Sequence, residues 1–200
     1  MHRHNILLEN AKGKHMSDEK FSDYYRVSSI LEPFSGLHNI QKDVLEAAAD
    51  RGTRVHAFCE LYAKGMLFME VDEDCVSYFE SFKEWFDSVV EKVEFTEKRL
   101  FCKEMKVTGQ ADMLVYLQGD KHPTLIDIKT PQSASKTWRL QLAAYRYLLE
   151  VNEIAFSKAF VLQLSKSGRS AKIHDFTATE AEDLILFKKA LDVHTFFNPL

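Results

Sequence analysis

Apolar residues recur along the chain in two rhythms. Over Gln41–Lys64, Val55, Cys59 and Tyr62 fall at i, i+4 and i+7, the spacing of one helix face, and Gly65 stands where a helix closes. Between Glu73 and Val93, the residues Val76, Phe79, Phe82, Phe86, Val89 and Val93 follow at steps of three and four and predict a second helix. Glu80, Glu84, Asp87 and Glu91 make its other face acidic and solvated. The texture then changes. Val93–Cys102, Met105–Leu117 and Thr124–Lys129 read as strands, the last two joined by the turn cluster Gln118-Gly-Asp-Lys-His-Pro123. Lys136–Glu150 reads as a helix, and Ile154–Ser165 and Ala171–Phe176 as strands meeting near Gly168. Thr177-Ala-Thr-Glu180 has the form of a capping box that opens a last helix to Val193. Residues 1–24 are polar and mixed, a partly ordered arm before a single domain over 25–200. Helices, three strands, a helix, two strands and a helix make an α/β or α+β architecture.

Composition narrows the class. The 200 residues are 46% hydrophobic and 28% charged, with 15 Phe and 7 Tyr, so material for a core is not limiting. No apolar run approaches a membrane span, and Ile6–Leu8 is too short for a signal-peptide core. Three widely spaced cysteines, Cys59, Cys75 and Cys102, fit reduced thiols in a cytoplasmic compartment, neither a disulfide framework nor a zinc knuckle. The net charge of −4 argues against a protein that coats nucleic acid. It is unevenly spread, however: net −8 over residues 1–97, +7 over 98–172 and −3 over 173–200. The basic block fits a footprint for a polyanion as well as an uneven solvated surface.

The candidate chemistry lies on one hairpin and two helices. A turn centred near residue 120 puts Asp112 opposite residue 128, within one position. Asp127 and Lys129 then share a sheet face, with Ile126 and Ile128 on the other. Asp112, Asp127 and Lys129 can converge, and two carboxylates that close call for a cation such as Mg²⁺ or Mn²⁺. A lysine beside them can stabilise charge on a phosphate. Taken alone, Asp-x-Lys also fits a surface salt bridge. His56 and Glu60 share one helix face, as do Gln141 and Tyr145 on another; a core histidine and a buried amide–phenol pair are the plain alternatives.

The ordered set Arg51-Gly-Thr-Arg-Val-His56-x3-Glu60, Gly109-x2-Asp112, Leu125-Ile-Asp127-Ile-Lys129-Thr130 and Gln141-x3-Tyr145-x2-Leu148-Leu149 resembles the PD-(D/E)XK nucleases. It is most similar to the RecB-type and phage-type exonuclease branch, which includes the mitochondrial genome-maintenance exonuclease. The resemblance spans residues 25–165. It implies a restriction-endonuclease-like α/β core with a mixed central sheet flanked by helices, and a Mg²⁺- or Mn²⁺-dependent exonuclease of low sequence specificity. It also implies that His56, Asp112, Asp127 and the Ile128 carbonyl hold metal, that Lys129 positions the attacking water, and that Gln141 orients Lys129 or the phosphate. Tyr145 would touch the DNA backbone and Thr130 would support the site, with Glu60 and Glu97 as second-tier acidic positions. Arg51, Lys136, Arg139 and Trp138 are candidate DNA contacts, the indole by stacking on unpaired bases. No phosphate-loop motif for ATP is present, and three cysteines do not make a four-cysteine iron–sulfur site. Recombination or replication proteins are expected partners, in a bacterial or phage-infected cell. A structure-specific endonuclease, a non-catalytic DNA-binding protein, and an interaction protein working through residues 66–97 are the alternatives.

Overall fold

The structure, a computed structural model, describes residues 21–66 and 70–200. The expected arm lies outside the described residues up to position 20. Its last residues belong to the body: Phe21–Asp23 form a 3-10 turn and Tyr24 is buried. Strand β1 (Tyr25–Arg26) leads into α1 (Val27–Leu31), and after two 3-10 turns α2 runs Lys42–Ala63. Helix α3 (Val76–Val89) precedes the hairpin β2 (Val90–Cys102) and β3 (Val107–Leu117), then β4 (Thr124–Lys129). Helix α4 (Thr137–Val151) crosses to β5 (Lys158–Gln163), followed by β6 (Lys172–Asp175) and α5 (Glu180–Phe197). Among the described residues no helix is long and apolar enough to cross a membrane.

The strands form one mixed sheet in the order β1-β3-β4-β5-β6, with β2 on the other edge of β3. Its faces bury two cores. One joins the sheet to α1, α4 and α5 through Leu114, Leu125, Trp138, Leu142, Leu148 and Phe187. The other joins it to α2 and α3 through Val55, Cys59, Phe79, Phe82, Met113, Ile126 and Ile128. This is the helix-flanked mixed sheet expected of the fold. All three cysteines are buried and free.

Most predicted elements stand, and the departures have identifiable physical causes. Helix α2 ends as expected: Gly65 takes φ +66, and the Met66 amide reaches back to the Leu61 carbonyl at 2.9 Å, the closure that a left-handed residue allows. The expected helix over 73–93 stops at Val89, because Val90 and Val93 pair with Leu117 and Val115 of β3. β-Branched residues pack well on that pleated surface, and here the ladder overrides the helical period. The capping box does not form. Thr179 turns its hydroxyl to the Asp183 carboxylate at 2.7 Å, and Asp175 accepts from the Thr177 amide instead.

One irregularity positions everything that follows. Strand β3 gives one edge wholly to β2, but its other edge is shared: β1 takes Val107 and Thr108, and β4 takes Met113 to Val115. Residues 109–112 between them face no strand on that side. Gly109 lies there because Tyr145 presses on it; an added Cβ would meet Tyr145 Cε1 at 2.6 Å and Leu148 Cδ1 at 3.0 Å.

Candidate active site

Asp112 stands at the fork where β3 and β4 separate. The ladder pairs Met113 with Ile126 and Leu114 with Leu125, within one position of the register expected from the turn. The Asp112 side chain takes over where the ladder stops: its Oδ2 accepts from the Ile128 amide at 2.6 Å. Its other oxygen, Oδ1, lies 3.5 Å from His56 Nδ1, and Glu97 Oε1 lies 3.8 Å from the same nitrogen. His56, Glu97 and Asp112 thus each offer a ligand atom within 4.8 Å of the others. Helix α2 supplies the histidine because Val55 and Cys59 anchor that stretch in the core, leaving the next position at the sheet surface.

Glu97 arrives by an unusual backbone. It has φ +48 between two regularly paired residues of β2, a left-handed conformation that costs a non-glycine residue roughly 1–2 kcal/mol. The alternation of the strands slips at the same level. Ala111 and Leu114 enter one core while Met113 and Val115 enter the other, so Asp112 is the residue at which β3 changes phase. Gln110, which sequence reasoning missed, donates to Glu97 Oε2 at 2.6 Å and accepts from Arg99 on the neighbouring strand.

Asp127 and Lys129 alternate with Ile126 and Ile128, which are buried toward α2 and α3. Lys129 Nζ lies 2.7 Å from Asp127 Oδ2, an ion-pair distance without hydrogen-bond geometry, and both Asp127 oxygens are buried with no hydrogen-bond partner. Burial, with Asp112 nearby, outweighs the pull of Lys129 and pushes the Asp127 carboxyl up to about 6. Burial also opposes charge on His56, but Asp112 and Glu97 prevail and raise it to about 10. Asp112 itself is held below the ordinary carboxylate value: its burial is outweighed by His56, Lys129 and the Ile128 amide. Tyr145 closes the floor, its phenol pushed up by burial and by the charges of Asp127 and Asp112, and it accepts from Gln141 Nε2 at 2.9 Å.

A cavity of about 600 Å³ opens at the His56 and Glu97 side of the cluster, lined by Gly52, Thr53, His56, Ala57, Glu60, Glu97 and Gln110. Glu60 faces it while paired with Lys64 at 2.5 Å. Thr130 borders α2, its hydroxyl 3.5 Å from where a Gly52 Cβ would stand. Lys136 is exposed at the start of α4. The remaining candidates lie elsewhere. Arg139 makes a two-pronged pair with the buried Asp183 and ties α4 to α5. The Trp138 indole, 4% exposed, packs edge-on to His174 inside the fold. The Arg51 guanidinium lies 5.7 Å over the Tyr78 ring, between α2 and α3.

A family model described as the PD-(D/E)XK nuclease superfamily matches residues 76–193, a stretch that holds Asp112, Asp127, Lys129, Gln141 and Tyr145. Among solved structures, the chain is similar to a Eubacterium rectale protein provisionally named as an exonuclease, at 13% identity and a TM-score of 0.56, over 86% of this chain and 79% of that one. It also aligns with a structure described as SSO0001, at 16% identity and a TM-score of 0.45, over 90% of this chain and 80% of that one. No curated protein matches it by sequence.

Proposed function

The chain belongs to the PD-(D/E)XK nuclease superfamily, and from that premise we propose that it is a Mg²⁺- or Mn²⁺-dependent DNA exonuclease of low sequence specificity, in the RecB-type and phage-type branch. The observation that carries this reading is the Asp127 carboxylate: buried, ion-paired to Lys129 but without a hydrogen bond at either oxygen, and set beside Asp112 and His56. A buried charge without hydrogen bonds is costly, and a divalent cation is the partner this donor set fits. Asp112, Asp127, His56 and the Ile128 carbonyl would hold it. Such an ion, when bound, neutralises phosphate oxygens and acidifies water.

The chain's own residues do the rest. Lys129 keeps a positive charge, raised above its ordinary value because Asp127 and Asp112 overcome its burial, and it stabilises charge building on the phosphate while holding the attacking water. Gln141, fixed through Tyr145, orients that group. Thr130 supports the site from the α2 side and Glu60 lines its mouth. Lys136, with the basic surplus of residues 98–172, holds the DNA backbone; contacts of that kind carry no sequence information. Tyr145, buried in the floor, acts through Gln141 rather than by touching the DNA backbone itself. The nuclease domain is taken as 25–200, with work in DNA recombination, repair or replication beside proteins of those processes, in the cytoplasm of a bacterium or a phage-infected cell.

The test is a single gel with end-labelled linear DNA and covalently closed circular DNA, each with Mg²⁺ or with excess chelator. Linear DNA should shorten from its ends only with metal, and the circle should survive. Cutting of the circle would replace the exonuclease reading with an endonuclease, and unchanged turnover in chelator would remove the metal from the chemistry.

A further inference from the structure

Glu97 is the one residue of the cluster whose presence costs the backbone strain, and its side chain is held from behind. Arg99 and Gln110 are directly opposed on β2 and β3. A guanidinium only donates, so its bond to Gln110 Oε1 turns the Gln110 amide nitrogen the other way, onto Glu97 Oε2 at 2.6 Å. The Glu97 Oε1 left over is the oxygen that lies 3.8 Å from His56 Nδ1. Arg99 is fixed in turn, its guanidinium 4.8 Å over the Phe21 ring. A further observation points to a ligand at this centre: Asp127, 1% exposed and ion-paired to Lys129 at 2.7 Å, has no hydrogen-bond partner at either oxygen.

We infer that Glu97 is a metal ligand of this centre and that Arg99 and Gln110 are positioning residues, a two-residue strut that leaves one Glu97 oxygen committed and aims the other at the ion. The inference rests on the reading of the centre as a divalent-metal site. A strut of this kind does what outer partners of metal ligands do elsewhere: it fixes the ligand's orientation, and its loss costs about 10- to 100-fold in metal affinity. The left-handed turn at Glu97 fits the same purpose, since it re-aims one side chain without moving the strand.

The experiment is a calorimetric titration of the full chain with Mn²⁺, without DNA. Wild type, Glu97→Gln, Gln110→Leu and the double variant are compared, with metal-free melting as a check on folding. Each single variant should bind Mn²⁺ about 10- to 100-fold more weakly. The double variant should be no worse than Glu97→Gln, because Gln110 acts only through Glu97. Wild-type affinity in Glu97→Gln would overturn the ligand, and an equal loss from Gln110→Leu with and without Glu97 would overturn the strut. Absence of Mn²⁺ binding by wild type would overturn the metal reading itself, which is a different result. If Glu97→Gln does not fold, Glu97→Gly, which keeps the left-handed backbone at no steric cost, replaces it with the same expectation.

Discussion

Two clusters of acidic groups gather around side chains two residues apart on α2, Arg54 and His56, and they differ in what holds them. Arg54 bonds Asp50 at 2.9 Å, Asp72 at 2.6 Å and Asp74 at 2.8 and 2.9 Å. Two residues later, His56 faces Glu97 and Asp112 at 3.8 and 3.5 Å. Each cluster brings three possible ligands within 4.8 Å, Asp72, Asp74 and Cys75 in the first. In the first, the cation is a guanidinium that cannot lose its proton, the carboxylates are about half exposed, and Arg54 holds Asp74 down to about 2. In the second, the cation is an imidazole that can give its proton up, and Asp127 beside it is buried, ion-paired to Lys129 but without a hydrogen bond. Proximity of carboxylates is therefore no guide to chemistry. What separates a site from an ion-pair cluster is burial without full satisfaction, together with a counter-charge that can be displaced.

The largest effect expected is on cleavage. Asp112→Asn, Asp127→Asn and Lys129→Ala should each lower turnover by about 10³-fold or more, the loss that follows removal of charge stabilisation from a preorganised centre. Asp72→Asn and Asp74→Asn should leave turnover within twofold. Rates on end-labelled duplex, with circular dichroism to verify folding, make the measurement. Full activity in any of the first three, or a collapse in either of the second two, would break the distinction.

Metal binding should sharpen it. The proton that holds His56 charged up to about 10 competes with any cation at neutral pH. Metal affinity should therefore fall about tenfold per pH unit on acidification, with close to one proton released per ion bound. Titration with Mn²⁺ in buffers of different ionisation enthalpy reads that proton directly. Asp74→Asn should change neither quantity, because its cluster is already satisfied by Arg54.

Much of the difference was legible beforehand, and what was not has a physical reason. Asp112, Asp127 and Lys129 follow from a period of two and a turn, and the strand Thr124–Lys129 is observed at its expected bounds. The weight on Glu97 and the role of Gln110 did not follow. They depend on a left-handed residue and a change of phase at Asp112, and no alternation of side chains announces either. Arg139 reads as a free basic residue because its partner, Asp183, is 44 positions away and buried only by the packing of α5. Trp138 likewise reads as a stacking platform until β6 covers it with His174. The helix drawn too far into Val90–Val93 shows tertiary pairing overriding a local period. Local pattern reached the residues that touch within a hairpin, and it missed those whose role is set by a distant element.

Gly109→Ala tests the floor of the buried cluster, which has no counterpart at the exposed one. The new methyl would stand 2.6 Å from Tyr145 Cε1, in a core where the ring has nowhere to swing. Overpacking of that kind costs about 1–3 kcal/mol, read as a lower denaturation midpoint. Turnover should fall as well, since Tyr145 would be pushed off Gln141.

The most gradual effect expected is the pH dependence of metal-free stability, which is spread over several pH units. Unfolded histidine titrates near 6.5 and His56 in the fold near 10. A raised value means that the protonated form is the one the fold favours. Its stabilisation is whole below pH 6.5 and drains away as pH rises toward 10. The gap in denaturation midpoint between wild type and His56→Gln should accordingly narrow over that range. Asp74 is the reverse case: lowered from 3.8 to about 2, it contributes above pH 3.8 and loses its contribution as pH falls toward 2. The gap between wild type and Asp74→Asn should therefore be flat from pH 5 to 9 and small throughout, because an exposed ion pair adds little in water. Parallel curves for the two variants would mean that His56 shares the solvated character of the Arg54 cluster, and the contrast on which the site rests would dissolve.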